Sequence, residues 1–401
     1  MEPFTAFARL CQGTRGVDGG AGTDPRAGPR TEETMTEDSK GSGRSAAGPR
    51  RRRPAARRRA VAAAGWSAVA VLLLGGAGVG YVYVKLNGNL KTVDIDQVLG
   101  TDRPADVDNG SMDILVLGSD SRGGANGAYG RDDGGSARSD TAMVVHLYEG
   151  HQKAAIVSIP RDTMTARPAC AVAGTGRSDP GGRRTQFNEA YTVGGAACAV
   201  KTVEKMSGIR MDHYIEVDFT GFKRIVDTLG GVEVTTTKPI KDDYSHLDLP
   251  AGPNRLDGEQ ALGLVRTRHG VGDGGDLGRI QLQQAFIKAL IKQVKGVGVF
   301  DSPKELLDLA DAGTKALTTD KALGDVKSLA GFAQSLQGID AADLQMITLP
   351  VTTDAIDANR VTPLPKESAM VWDALLADRP IPAGATAHST GDKSEAGAVV
   401  R

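Results

Sequence analysis

Aromatic residues are scarce in this chain: they account for 4% of its 401 residues, whereas glycine occurs 52 times. Residues 1–60 carry almost no apolar periodicity and are rich in Gly, Ala, Arg, Thr and Pro. A segment of that composition cannot bury enough apolar surface to offset its ordering entropy. We therefore predict a disordered basic tail over 1–60 and a second disordered tail over 381–401. The net charge of −1 excludes little, because it averages the basic tail with a more acidic remainder.

Four active-site motifs are missing from the sequence: HExxH, CxxC, the Walker loop GxxxxGK[ST] and GxSxG. Their absence argues against zinc proteases, dithiol redox enzymes, P-loop NTPases and serine hydrolases. The arginine cluster at 50–59 is also compatible with nucleic-acid binding. No helix-turn-helix or zinc pattern accompanies it, so we predict no nucleic-acid partner.

Long hydrophobic runs are almost absent, and the one that stands out is the uncharged stretch 61–84. At about 1.5 Å per residue, a helix of that length crosses a hydrocarbon core of roughly 30 Å. Arginines at 50–53 and 57–59 precede it, and basic residues stay on the cytoplasmic side of a membrane. The sequence therefore predicts a single-pass protein of the cell membrane with a cytoplasmic N-terminus, a buried core helix being the alternative. A polar linker over 85–108 would lead to one extracytoplasmic domain over 109–380.

Cysteine is rare, with three residues in the whole chain. Cys11 is cytoplasmic in the predicted topology, which leaves Cys170 and Cys198 outside. An oxidising compartment favours a disulfide between these two residues. Free thiols are the alternative, whereas a metal site is disfavoured because no histidine lies near the two thiols.

Beyond the linker, short apolar runs alternate with stretches of helical periodicity, which is typical of an α/β or α+β domain. The predicted strands are 112–117, 142–147, 154–159, 214–219, 232–236 and 345–349. The predicted helices are 221–229, 258–264, 277–294, 303–317, 323–336 and 368–377. The helix over 277–294 is the clearest, because Ile280, Gln283, Ile287 and Leu290 fall on one stripe.

Arginine and aspartate recur where predicted strands end and loops begin, in LVLGSDSR, RSDT, VSIPRDT, VRTRHG and DLGRIQLQQ. Each arginine alone is compatible with a solvated surface charge. Together they lie where α/β folds bind ligands, and guanidinium groups grip phosphate oxygens bidentately. The set therefore predicts a site for a ligand with several negative charges, such as a pyrophosphate.

Spacing refines this prediction. Arg266 and Arg268 are two apart, so an extended backbone would point both to the same side. Arg279 and Gln283 are four apart and share one face of a helix. Aspartates beside such a ligand would be repelled unless a cation intervened, and Asp120 and Asp140 therefore predict Mg²⁺, which takes carboxylate oxygens together with substrate phosphates.

The strings LVLGSDSR, RSDTAMVV, VSIPRDT, FNEAYTVGG, LDGEQALGLVRTRHG and DLGRIQLQQ occur in this order over 113–294. They resemble the LytR-CpsA-Psr proteins of Gram-positive-type envelopes. The resemblance implies an α/β fold, an α-β-α sandwich around a mixed central β-sheet, with an apolar pocket for a polyprenyl chain. It also implies a Mg²⁺-dependent phosphotransferase that moves a glycopolymer from a polyprenyl-pyrophosphate carrier onto peptidoglycan, forming a phosphodiester.

The resemblance also implies roles for individual residues. Asp120 and Asp140 are implicated in metal binding and, with Arg161, Arg266 and Arg268, in catalysis. The residues implied to hold the pyrophosphate are Arg138, Arg161, Arg266, Arg268, Arg279 and Gln283.

Several alternatives stay open from the sequence. A carboxylate of Asp120 or Asp140 could accept the acceptor's hydroxyl proton, or both could only hold metal, which we favour. Gln186 stands where the family often has a lysine, so Arg183 or Arg184 supplies that charge or the contact is missing. A hydrolase, a non-enzymatic polyprenyl-phosphate-binding protein and an envelope regulator are rival functions. The glycopolymer itself cannot be named from the sequence.

Overall fold

The computed structural model describes residues 54–119, 139–173, 175–269, 271, 275–298, 302–391 and 399–400, with no side-chain description for 54–64, 68–72, 139 and 140. By its contacts the chain divides into two units, 1–66 and 67–401, and the fold below is that of the second unit. The predictions for 1–53, Asp120 and Arg138 lie outside the described residues.

Within the described ranges the chain forms nine α-helices and seventeen β-strands. The helices are α1 (Pro54–Asn89), α2 (Ile95–Leu99), α3 (Phe187–Ser207), α4 (Phe219–Thr228), α5 (Gly258–Arg266), α6 (Asp276–Gly296), α7 (Pro303–Ala316), α8 (Val326–Ser335) and α9 (Pro365–Leu376). The strands are β1 (Lys91–Val93), β2 (Met112–Ser119), β3 (Ser139–Leu147), β4 (Ala154–Ile159), β5 (Met164–Arg167), β6 (Cys170–Ala171), β7 (Ser178–Asp179), β8 (Gly182–Gln186), β9 (His213–Asp218), β10 (Val232–Thr236), β11 (Ile240–Asp242), β12 (Leu247–Leu249), β13 (Gly252–Leu256), β14 (Leu317–Asp320), β15 (Leu344–Thr348), β16 (Val351–Thr353) and β17 (Val361–Pro363).

A seven-stranded mixed sheet forms the centre, in the order β1-β14-β9-β2-β3-β4-β15. β2 runs parallel to β9 and antiparallel to β3, and β4 runs antiparallel to β3 and parallel to β15. The carboxyl ends of β2, β4, β9 and β15 therefore meet the amino end of β3 at one edge. The predicted α/β fold with a mixed central sheet is confirmed.

Successive residues of a strand point to opposite faces of a sheet, and both faces of this sheet are covered by helices. On one face, Leu115 and Val157 pack with Val200 of α3 and Val371 of α9. On the other face, Ile114 belongs to a smaller cluster against which Phe332 of α8 packs. A third cluster joins α4, α5 and α6 to the antiparallel strands β10 and β13, and α6 carries site residues described below.

The segment 85–108, predicted as a linker, is folded into the domain over much of its length, which corrects that prediction. β1 adds a parallel edge strand to the central sheet by pairing with β14. Leu86, Ile95 and Leu99 are buried, and Arg103 forms ion pairs with Glu204 and Asp96. The segment has few apolar residues, but those few reach the core.

The described part of 381–401 is folded, which corrects the prediction of a disordered tail there. Ile381 and Ala385 belong to the main core cluster. The Thr390 amide donates to the carbonyl oxygen of Val351, and Val400 packs into the third cluster. Polar composition therefore does not prevent this segment from packing along the domain.

The predicted membrane span 61–84 falls within α1, a helix of 36 residues. Over the described residues, no helix combines the length and the apolar character that crossing a membrane requires. The predicted span is thus not confirmed.

Candidate active site

The site lies at the sheet edge where β2 and β4 end and β3 begins. At this edge Ser119 pairs with Ser139, and Gly118 pairs with Thr141, so the backbone of Asp140 is the extra residue of a β-bulge. Bulges re-aim the chain and are frequent beside active sites. Asp120 and Arg138 belong to the same loop by sequence and lie outside the described residues.

One carboxylate, that of Asp276, brings three of the predicted arginines together. Arg279 lies one helical turn further along α6, and its Nη2 is 2.5 Å from Asp276 Oδ1. Arg161, two residues after β4, places Nε 3.7 Å from the same oxygen, and Nη2 of Arg268 lies 4.0 Å from it. The Arg161 backbone amide also donates to Asp276 Oδ2 at 3.3 Å. Segments far apart in sequence thus meet at one point.

Arg279 and Gln283 are both buried on the same face of α6. Gln283 Nε2 donates to Thr141 Oγ1 and to the Val265 carbonyl oxygen, each at 2.9 Å. These bonds attach α6 to the first residues of β3 and to the end of α5. Gln283 therefore holds the arginine-bearing helix against the bulge that carries Asp140.

Arg266 differs from its prediction. The sequence predicts an extended backbone at Arg266 and Arg268, but α5 continues to Arg266, and Thr267 is its C-cap. The guanidinium carbon of Arg266 lies 5.2 Å from the centre of the Phe219 ring, while Arg268 reaches toward Asp276.

Asp242 fixes the backbone that presents Arg268, and none of the sequence motifs includes it. Its Oδ2 accepts hydrogen bonds from the amides of Arg268 and His269, both at 3.0 Å. Burial would raise the pKa of Asp242, but amide donors from Arg268, His269, Tyr244 and Ser245 outweigh it and lower that pKa. The carboxylate is therefore ionised at neutral pH and holds the loop from α5 toward α6.

The side chain of Gln186 contacts an arginine that is distant in sequence. The Gln186 amide orients its oxygen toward the guanidinium of Arg360 and its nitrogen toward Asn188 Oδ1 at 3.2 Å. Arg184 instead pairs with Asp354. The positive charge at Gln186 thus comes from Arg360, on the loop between β16 and β17, and no local sequence signal joins these positions.

A disulfide supports the segment that carries Gln186. Cys170 of β6 and Cys198 of α3, the pair predicted from topology, are bonded with their Cα atoms 5.6 Å apart. A side chain at Gly194 would lie 2.6 Å from the Ala171 carbonyl oxygen, so this close approach requires glycine. The start of α3 then meets the Arg161 loop, because the Asn188 amide donates to the Arg161 carbonyl oxygen at 3.2 Å.

The described carboxylates at the site are engaged by arginine. Asp276 faces Arg161, Arg268 and Arg279, and Asp162 contacts Arg161 and Arg360. Over the part of the chain that the structure describes, no group of three or more His, Cys, Asp or Glu residues is placed to hold a metal ion. The described site therefore presents guanidinium groups to a ligand, and guanidinium groups bind anions.

The comparisons with known proteins agree with this arrangement. The sequence model of the LytR_cpsA_psr family matches residues 82–375, more than half of the chain. The chain therefore belongs to the LytR_cpsA_psr family, as its motifs predict.

Relatives and a solved structure extend the comparison. The chain is 31% identical over 311 residues to the cell wall biosynthesis protein LcpA of Corynebacterium glutamicum, covering 71% of this chain and 59% of that protein. It is 32% identical over 294 residues to the polyisoprenyl-teichoic acid–peptidoglycan teichoic acid transferase TagT of Bacillus subtilis, covering 70% of this chain and 83% of that protein. A LytR-Csp2A-Psr enzyme from Actinomyces oris superposes with a TM-score of 0.51 at 22% identity, over 78% of this chain and 98% of that one, which shows the shared fold.

Proposed function

We propose that this protein is a phosphotransferase that moves a glycopolymer from a polyprenyl-pyrophosphate carrier onto peptidoglycan. The observation that carries the proposal is the convergence of Arg161, Arg268 and Arg279 around Asp276 at the edge of the sheet. Relatives named as teichoic acid transferases and as cell wall biosynthesis proteins support the substrate class.

The chemistry assigned to the arginines follows from their fixed charge. Arg161 and Arg268 are partly exposed and present guanidinium donors to the pyrophosphate, whereas buried Arg279 anchors Asp276 beneath them. A sugar hydroxyl of the acceptor attacks the phosphorus nearest the glycan, forming a P–O bond. The bond to the bridging oxygen breaks, and polyprenyl phosphate leaves with the electron pair. Preorganised positive charge lowers the barrier because it stabilises the charge on the departing phosphate.

Magnesium is a further part of the proposal. We assign its binding to Asp120 and Asp140, and the bulge at Asp140 supports a specialised backbone there. A bound Mg²⁺ would neutralise phosphate charge. We favour both carboxylates only holding metal; the alternative is that one of them could take the acceptor's hydroxyl proton.

Membrane attachment through 61–84 completes the proposal. A carrier with a polyprenyl tail stays in the membrane, so an enzyme that acts on it gains from being tethered at the same surface, with its domain outside the cytoplasm. The last residues of α1 contact the domain: Lys85 pairs with Asp311 at 2.9 Å, and the Asn89 side-chain amide donates to Thr314 at 3.2 Å.

The proposal is tested with the full-length protein, kept soluble by detergent and given a synthetic polyprenyl-pyrophosphate glycan, Mg²⁺ and peptidoglycan fragments. We expect a phosphodiester-linked product. The substitution Arg268→Ala should lower its rate by about 10²–10³-fold, as loss of a donor at a developing charge does.

The matched control is Arg379→Ala, because Arg379 is exposed and lies away from the site. Its neighbour Asp378 contacts His146 near the opposite edge of the sheet. Its rate should equal that of the unmodified protein. Absence of any joined product, or equal rates for Arg268→Ala and the control, would refute the transferase. Release of polyprenyl phosphate without joining would indicate a hydrolase instead, and donor binding without turnover would indicate a carrier-binding protein.

A further inference from the structure

The site contains a row of alternating charges that runs from the interior to solvent. Arg279 pairs with Asp276, Asp276 faces Arg161, Arg161 faces Asp162, and Asp162 contacts Arg360. The exposed fraction of the arginine side chains rises along this row, from 3% for Arg279 to 22% for Arg161 and 31% for Arg360. Arg360 is therefore the solvent-facing end of the row that includes Arg161.

The loop that carries Arg360 is cross-linked by hydrogen bonds to Asp354. Asp354 Oδ1 accepts hydrogen bonds from the amides of Ile356 and Asp357, and the Asp354 amide donates to the Arg360 carbonyl oxygen at 2.9 Å. The Thr362 hydroxyl and these amides hold the pKa of Asp354 below its usual range, so the carboxylate is ionised at neutral pH.

The same loop is attached to the segment of Arg161. The Val361 amide donates to the Asp162 carbonyl oxygen at 3.4 Å, and Nη1 of Arg360 donates to Asp162 Oδ1 at 3.2 Å. Arg161 Nε lies 3.7 Å from the other oxygen of the same carboxylate. Two guanidinium groups thus flank one carboxylate.

With Arg268 beside this row, the described charges of the site do not cancel. Arg161, Arg268, Arg279 and Arg360 face the carboxylates of Asp276 and Asp162, with Asp357 3.6 Å from Nε of Arg360 on the outer side. Gln186, which also contacts Arg360, is neutral. Among the described residues these four arginines outnumber the three aspartates, so their summed charge is positive. A fork of guanidinium donors that keeps partial exposure is suited to phosphate oxygens.

We propose that Arg360 is a further donor-binding residue, which contacts a phosphate oxygen on the glycan side of the substrate. This inference rests on the proposed function. The side is assigned from exposure: the polyprenyl end of the donor is apolar, the glycan is hydrated, and Arg360 is the more exposed of the two arginines that share Asp162. The phosphate is either the glycan-proximal phosphate of the pyrophosphate or a phosphodiester within the glycan.

The test measures equilibrium binding of two synthetic donors to the full-length protein in detergent. Both carry polyprenyl pyrophosphate; one bears a neutral sugar, and the other bears the same sugar extended by a phosphodiester. The variants are Arg360→Gln, Arg360→Lys and the control Arg379→Gln. We expect Arg360→Gln to weaken binding by about 10- to 100-fold, because a charge-assisted contact is lost. The control should bind as the unmodified protein does.

The two donors separate the two sources of phosphate. Equal weakening for both assigns Arg360 to the pyrophosphate, and weakening for the phosphodiester donor alone assigns it to the glycan; either result supports the proposal. The effect should shrink as salt rises, since screening weakens an electrostatic contact and leaves a purely structural role unchanged. Weakening that is independent of salt would overturn the proposal.

Unchanged binding by Arg360→Gln would also overturn the proposal. If that variant does not fold, Arg360→Lys carries the test, because it keeps the charge and loses the fork: a several-fold loss supports the proposal and unchanged affinity overturns it. Failure of the unmodified protein to bind either donor would instead contradict the proposed function, so the two failures are distinguishable.

Discussion

At the scale of single residues, the arginine site depends on the carboxylate of Asp276. Three guanidinium groups within 4.0 Å of one carboxylate oxygen would repel each other without it. The position suits an acid for a second reason: Asp276 is the first residue of α6, where the helix dipole favours negative charge. Anion binding and local stability thus depend on the same side chain.

The substitution Asp276→Asn tests this dependence. It keeps the volume and removes the charge, so we expect a loss of unfolding free energy toward the lower end of about 3–5 kcal/mol, the range for breaking a buried ion pair. Some solvent contact at Asp276 places the value low in that range. Urea denaturation at neutral pH measures it.

The matched control is Asp248→Asn, because Asp248 lies exposed on β12. Its denaturation midpoint should be unchanged within error. A midpoint for Asp276→Asn equal to that of the control would show that the three arginines do not need their common carboxylate.

At the scale of elements, the sequence predicted most helices and central strands to within a few residues. The predicted strands 154–159 and 232–236 coincide with β4 and β10. Helix α6 was also found, although Leu282, Phe286 and Ala289, outside the predicted stripe, are among its buried residues. Leu282, Phe286 and Ala289 pack in the third cluster, and the site residues Arg279 and Gln283 lie beside them on the helix, so the predicted stripe does not describe the buried surface.

Helix α3 was missed because its sequence gives no continuous helical pattern. Gly194 and Gly195 interrupt it with non-helical backbone, and Gly195 has a φ of +61°. What holds the two parts is tertiary: the disulfide to β6 and the packing of Val200 and Val203 against the sheet. Neither contact can be read from local periodicity.

The double substitution Cys170→Ser, Cys198→Ser tests that support. For a sequence separation of 28 residues, loss of the cross-link should lower the unfolding free energy by about 3–4 kcal/mol, because the unfolded chain regains entropy. Urea denaturation of the oxidised and reduced protein should give the same difference as the substitution does. Cys11→Ser is the control and should leave the midpoint unchanged; reduction without effect on the midpoint would contradict the prediction.

At the scale of the whole molecule, the sequence predicted the arginine set better than the contacts that assemble it. Arg161, Arg268 and Arg279 were selected by their place at element ends. The contacts that assemble the site, those of Asp276 with the arginines and of Arg360 with Asp162, join segments up to 198 residues apart. β1 was not predicted for the same reason. It has three residues at the sheet edge, and its partner β14 is more than 200 residues away in the sequence. Local patterns carry no information about such distant partners.

A buried histidine links three distant parts of the domain near the sheet edge opposite the site. His146 of β3 is fully buried; its Nδ1 lies 2.8 Å from Asp113 Oδ1 on β2, and its Nε2 lies 3.0 Å from Asp378 Oδ1 after α9. The Tyr148 ring contacts the imidazole edge-on at 4.8 Å. Burial would lower the pKa of His146, but the two carboxylates outweigh it and raise that pKa.

This raised pKa makes the stability of the fold depend on pH. A group whose pKa is higher in the folded than in the unfolded state favours folding when protonated. The His146 contribution should therefore be complete below its unfolded value of 6.5 and disappear as pH rises through the folded pKa. Urea denaturation at a series of pH values should show the unfolding free energy declining over that window.

The substitution Asp378→Asn should move that decline to lower pH, because it removes one of the two carboxylates that raise the histidine pKa. Asp378 has a φ of +50°, and asparagine tolerates this left-handed backbone, so the variant tests charge and not conformation. The control is His151→Asn, because the His151 amide donates to the Tyr148 carbonyl oxygen within its own turn and asparagine tolerates its φ of +52°; its profile should match that of the unmodified protein. If the profile of Asp378→Asn coincides with that of the control, the contact between His146 and Asp378 does not set the pH dependence of the unfolding free energy.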